Sequence, residues 1–126
     1  PNGAVPMSAF ADLTLASESI QSQSENELYM HPSCLPDFVN LYVDAHDVRN
    51  PLVSPVFGDY AGIPPLLIQV GEYEVIRDDS VRVASRARAD GVGVRLEVWQ
   101  GQVHVFQRRG LPESREAIAH IAEFVR

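Results

Sequence analysis

The sequence contains no lysine; all ten of its basic residues are arginine. This reads as a compositional bias of the genome and carries no functional weight. Against those ten stand 17 acidic residues, for a net charge of −7. With no basic stripe to offset that charge, a nucleic-acid partner is disfavoured. Cysteine is almost absent. The lone Cys34 excludes an internal disulfide framework and accords with a reducing, cytoplasmic setting. Long apolar runs are missing too: nothing approaches the roughly 20 residues of a membrane span. No glycine-rich phosphate loop occurs, which argues against a nucleotide site. Nor does Gly-x-Ser-x-Gly, the turn that exposes a nucleophilic serine. Ser8, Ser54, Ser80 and Ser85 all lack its flanking glycines. No signal peptide is visible, although the chain begins at Pro1 rather than Met, so export stays open beside the cytoplasmic expectation.

What is present suits a single domain. A length of 126 residues, 45% hydrophobic content and near-zero mean hydropathy indicate a soluble globular protein with a real core. The most informative stretch is Leu66-Leu-Ile-Gln-Val-Gly-Glu-Tyr-Glu-Val-Ile-Arg-Asp-Asp79. Leu66, Leu67, Ile68 and Val70 form a nearly unbroken apolar run. That is the pattern of a strand covered on both faces, as in a parallel sheet between helices. The strand ends at Gly71, delivers a carboxylate at Glu74 and turns into a helix near Asp78. A carboxylate just past the C-terminal end of such a strand stands where α/β folds build their sites. The next strand, 94–99, alternates Val94, Leu96 and Val98 with Arg95 and Glu97. One face is apolar and the other polar, which marks a strand at the end of the sheet. Past its end comes Gly101-Gln-Val-His104.

The remaining elements follow from local signals. Residues 3–8 are a weak strand in which Pro6 removes a ladder donor, so the strand must lie at an edge or end there. Residues 15–23 are rich in Ser and Gln and read as irregular. A short helix is expected over 26–30. A better one is expected over 36–45, with Pro36 at its first position and Phe38, Leu41, Tyr42 and Ala45 at helical spacing. Residues 49–65, punctuated by Pro51, Pro55, Gly58 and Gly62, form a long surface connection. The helix after Glu74 is expected to begin at an Asp78 N-cap, to bury Val81, Ala84 and Ala87, and to end at a Gly91 C′ glycine. The last helix, 112–126, carries a buried stripe of Ile118, Ile121, Ala122 and Val125. The expected fold is therefore one α/β domain over 1–126. It has three mostly parallel strands flanked by helices and an irregular and helical excursion at about 13–62. A three-stranded sheet with one weak strand leaves an open edge, so more sheet is inferred upstream of Pro1.

Glu74 and His104 are the leading candidates for chemistry. A hydrolase serine needs a base near neutral pH and a buried carboxylate that fixes the base's tautomer and stabilises its protonated form. The two residues supply those groups from two consecutive strand ends. The competing reading makes Glu74 an exposed loop acid and His104 a loop histidine. Asp78 and Asp79 compete for the acid role but fit a helix N-cap and first turn better, and Glu72 has no assigned role. His31, Cys34, Asp44, His46 and Asp47 match no structural zinc spacing, so no metal is expected. His120 reads as a half-exposed helix residue.

Four segments, in order, resemble one family. Ser8-Ala-Phe-Ala-Asp-Leu13 is similar to Ser-Pro-Trp-x-Asp-Leu, and Asn50-Pro-Leu-Val-Ser-Pro55 to Asp-Pro-x-x-Ser-Pro. Ile63-Pro-Pro-Leu-Leu-Ile-Gln-Val-Gly71 is similar to Leu-Pro-Pro-x-x-Ile-x-x-Gly, and Gly101-Gln-Val-His-Val-Phe106 to Gly-x-x-His-x-Phe. Together they resemble the C-terminal half of the hormone-sensitive-lipase-like α/β-hydrolases, the bacterial carboxylesterases. The resemblance implies that Glu74 is the catalytic acid and His104 the general base of a Ser-Glu-His triad. Glu74-Val-Ile-Arg-Asp78 stands where the family usually shows Asp-Pro-Leu-x-Asp. It also implies that this chain supplies strands six to eight of the parent sheet. The nucleophile elbow and oxyanion loop would then lie in an N-terminal half outside these residues, and the chain alone would be inactive. A small acyl ester is the implied substrate, no cofactor is implied, and a homodimer through the last strand is expected. The alternative function is a catalytically incomplete fragment serving as an interaction or dimerisation module. A related hydrolase chemistry, such as a peptidase or lactonase, is a third reading.

Overall fold

The computed structural model describes residues 2–43 and 47–126. Two strands, β1 (Leu66–Gly71) and β2 (Val94–Trp99), pair in parallel, with Leu66 opposite Val94 and Gly71 opposite Trp99. Every residue of β1 is buried, as its apolar run requires, while β2 is only half covered. The expected first strand is present as irregular chain. Ala4 and Met7 form isolated parallel bridges with Leu66 and Gln69 on the other side of β1. The bonds Ala4 N–H to Pro65 O, Leu67 N–H to Ala4 O, Gln69 N–H to Pro6 O and Ser8 N–H to Gln69 O are all made. The bond missing from a continuous ladder is the one Pro6 has no N–H to donate. A two-stranded sheet therefore replaces the expected three strands.

Helix α3 (Arg77–Ala89) packs on one face of the sheet. Its Val83, Ala84 and Ala87 join Leu66, Ile68, Val92, Ala11 and Val56 in the main core. Val83 takes the place expected for Val81. The helix carries Asp78 and Asp79 in its first turn and Arg86 and Arg88 in its last, matching the macrodipole, and Gly91 beyond it has φ +84°. Its N-cap is Ile76, not Asp78, and no side chain caps it. Helix α4 (Pro112–Phe124) covers the opposite face, where the buried Gln69 amide donates to Ala117 O at 2.9 Å. Ser114 and Ala117 are its buried residues, and Ile118 and Val125 are 51% and 62% exposed. The expected stripe was thus rotated by about one position. The helix turns its small residues inward because the polar Gln69 and the loop before it need backbone-close contact, which Ser114 provides by bonding Phe106 O at 2.7 Å.

The excursion between Ser8 and β1 is held by scattered short turns. Helix α1 (Ser19–Ser22) is one turn inside the stretch expected to be irregular, and residues 26–30 form no helix. Helix α2 (Leu35–Tyr42) ends at Val43, whose backbone is extended; Ala45 lies outside the described residues. It buries Leu35 and Val39, with Leu35 joining Val75 and Ile76 in a second cluster. Phe38, Leu41 and Tyr42 face outward. The 49–65 connection contains one 3-10 turn, Pro55–Phe57.

Candidate active site

The loops that follow β1 and β2 run against each other. Glu72 N–H donates to Trp99 O at 2.9 Å, and Tyr73 N–H to Gln102 O at 3.0 Å. The Glu72 carboxylate accepts the Gly101 N–H at 2.8 Å. This contact needs Gly71: a Cβ there would lie 2.4 Å from the Gln102 carbonyl oxygen. A parallel strand pair whose C-terminal loops are zipped in this way brings their side chains to one place.

That place is Glu74. Its side chain is fully buried, which overturns the exposed-acid alternative. One carboxylate oxygen, Oε1, accepts the Gly71 N–H at 2.6 Å and the Ser8 hydroxyl at 2.7 Å. The other, Oε2, lies 2.9 Å from Nδ1 of His104. Burying a carboxylate is costly unless its lone pairs are filled, and three partners fill them here. His104 is carried between the buried Val103 and Phe106, and its side chain keeps 22% of its surface exposed. A carboxylate only accepts, so Nδ1 holds the imidazole proton and Nε2 offers its lone pair. Among the described residues Nε2 makes no hydrogen bond. The arrangement can take a proton at Nε2 while Glu74 stabilises the resulting imidazolium.

The rival acids are engaged elsewhere. Asp79 is buried and accepts the Ala11 and Asp12 N–H groups at 2.9 Å each, together with the Ser17 hydroxyl. Burial pushes its carboxyl above the ordinary range, and the bonds from Ser17, Ala11 and Asp12 offset this only in part. Asp78 accepts the Ser19 N–H at 2.9 Å and pairs with Arg77. Both acids therefore fasten the chain that leaves Ser8. Asp12, next in that chain, pairs with Arg82. Burial raises its pKa, but bonds from Thr14 and Arg82 outweigh this and hold the carboxyl below its ordinary value.

The other described histidines, His31 and His120, make no contact with this pair. His120 on α4 contacts Glu97 at 2.9 Å and lies against Trp99, half-buried as expected. His31 accepts the Ser33 N–H at the start of the Pro32–Cys34 turn, and Cys34 is exposed. Asp44 and His46 lie outside the described residues, and among the described residues no group of three His, Cys, Asp or Glu side chains could hold a metal. One member of the site escaped the sequence reading. Ser8, dismissed as a nucleophile, bonds the acid directly. Its signal was its position: a hydroxyl at the C-terminal end of the segment that flanks β1.

Parallel strands sandwiched by helices, with a buried carboxylate–histidine pair at their C-terminal ends, define an α/β-hydrolase type of site. Residues 1–108 match the model of a family described as alpha/beta hydrolase fold, and the chain belongs to that family. Within it, the chain aligns with the C-terminal portion of bacterial esterases of the hormone-sensitive lipase family. A solved esterase of that family superposes with a TM-score of 0.95 at 36% identity, over 100% of this chain and 43% of the other. A hormone-sensitive lipase from a metagenome library gives 0.95 at 38% identity, over 99% of this chain and 43% of its own. An esterase of Acinetobacter venetianus is 36% identical over 98% of this chain and 42% of its own length. An acetyl-hydrolase of Streptomyces hygroscopicus is 37% identical over 100% and 43%. The chain thus spans less than half the length of these relatives.

Proposed function

We propose that this chain supplies the acid and the base of a Ser-Glu-His triad in a carboxylic ester hydrolase. The observation that carries the reading is the fully buried Glu74 carboxylate bonded to Nδ1 of His104 at 2.9 Å. Kinship with esterases and an acetyl-hydrolase supports an ester substrate, and short- or medium-chain acyl esters are the proposed class. The nucleophile would come from an N-terminal hydrolase half, since no Gly-x-Ser-x-Gly occurs in these 126 residues. His104 Nε2 takes the proton of the serine hydroxyl as it attacks the ester carbonyl. It then gives that proton to the departing alkoxide, leaving an acyl-enzyme. Water, deprotonated by the same nitrogen, attacks the acyl carbon; the bond to the serine oxygen breaks, that oxygen takes the proton back from Nε2, and the acid product leaves. Glu74 orients the ring and balances its charge throughout.

The test is hydrolysis of p-nitrophenyl butyrate by the protein together with its nucleophile-bearing half. His104→Ala should lower turnover at least about a thousandfold. Glu74→Gln should cost less than that but far more than Asp78→Asn. Turnover near the parent value in His104→Ala would remove the proposal. A second reading is a catalytically incomplete interaction module. An intact mass spectrum that finds only a 13.9 kDa chain, without esterase activity, would support it.

Dimerisation across a two-fold through the free edge of β2 is part of the same proposal. Among the described residues β2 pairs only with β1, and its Val98 is 44% exposed. A monomeric mass in sedimentation would count against it. A cytoplasmic location, proposed from the single cysteine, is checked by cell fractionation.

A further inference from the structure

We propose that Ser8 is a positioning residue for the acid–base pair, its hydroxyl fastening the Glu74 carboxylate to the backbone that carries His104. The inference rests on the triad reading of Glu74 and His104 and adds to it a third side chain. Ser8 is buried, at 6% exposure, at the end of the segment bridged to β1. Its hydroxyl donates to Glu74 Oε1 at 2.7 Å and accepts the Val105 N–H at 3.0 Å. A hydroxyl has one proton. With that proton committed to a carboxylate, its lone pairs are left for Val105, so its orientation is determined by both partners.

The consequence for the acid is rotational. A Glu side chain reaches its partner through one more torsion than Asp, and a carboxylate held at one oxygen by one donor can turn. Here Ser8 and the Gly71 N–H together claim Oε1, which leaves Oε2 facing His104. The consequence for the base is positional. Val105 follows His104 directly and has φ +50°, a region that β-branched residues rarely adopt. Ser8 has φ +48°. Two backbone outliers thus meet through one hydrogen bond, at the point where acid and base must be kept in register. Such outliers persist only where their surroundings over-determine them.

Two variants separate the hydroxyl from the backbone. Ser8→Ala removes the hydroxyl; Ser8→Gly removes it and also relaxes the positive φ. The first readout is proton NMR of the chain assembled with its nucleophile-bearing half. The low-field resonance of the His104 Nδ1–H should broaden or shift in both variants. Exchange of the Val105 amide should quicken about tenfold or more. The second readout is ester hydrolysis with the nucleophile-bearing half. Both variants should lose about tenfold to a hundredfold in kcat, the worth of one hydrogen bond to a charged group, with KM within about twofold. If Ser8→Gly keeps the resonance, the exchange rate and kcat of the parent, the backbone turn alone matters and the inference is overturned. Failure of the triad reading looks different: the parent shows no low-field resonance, or Glu74→Gln keeps full turnover. In that case the role of Ser8 falls with it.

Discussion

Asp79 shows how a single buried acid can serve the site from a distance. Its carboxylate gathers the Ala11 and Asp12 amides and the Ser17 hydroxyl, and so sets the course of the chain just after Ser8. Burial holds its folded-state pKa above the ordinary 3.8. The protonated form is therefore favoured by folding. Its contribution to stability is full below about 3.8 and is lost as pH rises through the folded value. Asp12 acts in the opposite sense: its lowered pKa adds stability above the ordinary value, and this is lost as pH falls through the folded one. Asp79→Asn should remove the first effect alone. In urea denaturation at a series of pH values, the parent should lose stability relative to Asp79→Asn as pH rises from about 4. A constant difference between the two proteins across that range would contradict the raised pKa.

At the scale of elements, the β1 and β2 ends are joined by backbone bonds that tolerate no side chain at position 71. Gly71→Ala would place its Cβ 2.4 Å from the Gln102 carbonyl oxygen, and neither partner is a flexible side-chain end. The loops must move apart, at a cost of about 1–3 kcal/mol. Gly91→Ala is the natural comparison. Gly91 has φ +84° with open space around it, so the substitution meets backbone strain of about 1–2 kcal/mol and no clash. Both variants should be destabilised in urea. Only Gly71→Ala should also lose the low-field His104 resonance, because only there do the loops carrying Glu74 and His104 separate. The elements were unevenly legible. β1, β2 and α3 were placed nearly residue for residue, because a long apolar run, strict alternation and a C′ glycine are strong local signals. The faces of α2 and α4 were misjudged. Several helical stripes fit either sequence, and the neighbour decides among them: Leu35 and Val39 on α2, Ser114 and Ala117 on α4.

At the scale of the whole molecule, the described residues leave apolar surface exposed. Leu41, Leu52 and Tyr42 are 85%, 89% and 71% exposed, and they line one groove with Phe10, Leu13 and Met30. Under the proposed assembly, this surface is where a partner would be seated. Co-expression with the proposed nucleophile-bearing half should raise the thermal midpoint of this chain, since a partner that binds only the folded form stabilises it. An unchanged midpoint at saturating partner would argue against that assembly. Glu74 and His104 stand out as candidates in the sequence because each sits in a loop just past a strand, in a motif read within a few positions. Glycines, alternation and chemistry-bearing residues are local properties, and local order in the chain carries them. The partnership of Ser8 with Glu74 and Val105 spans 66 and 97 positions, and Asp79 reaches Ala11 across 68. Contacts of that length exist only once the sheet has set its neighbours side by side. Packing therefore decided which hydroxyl holds the acid, which aspartates hold the loop, and which face each helix buries.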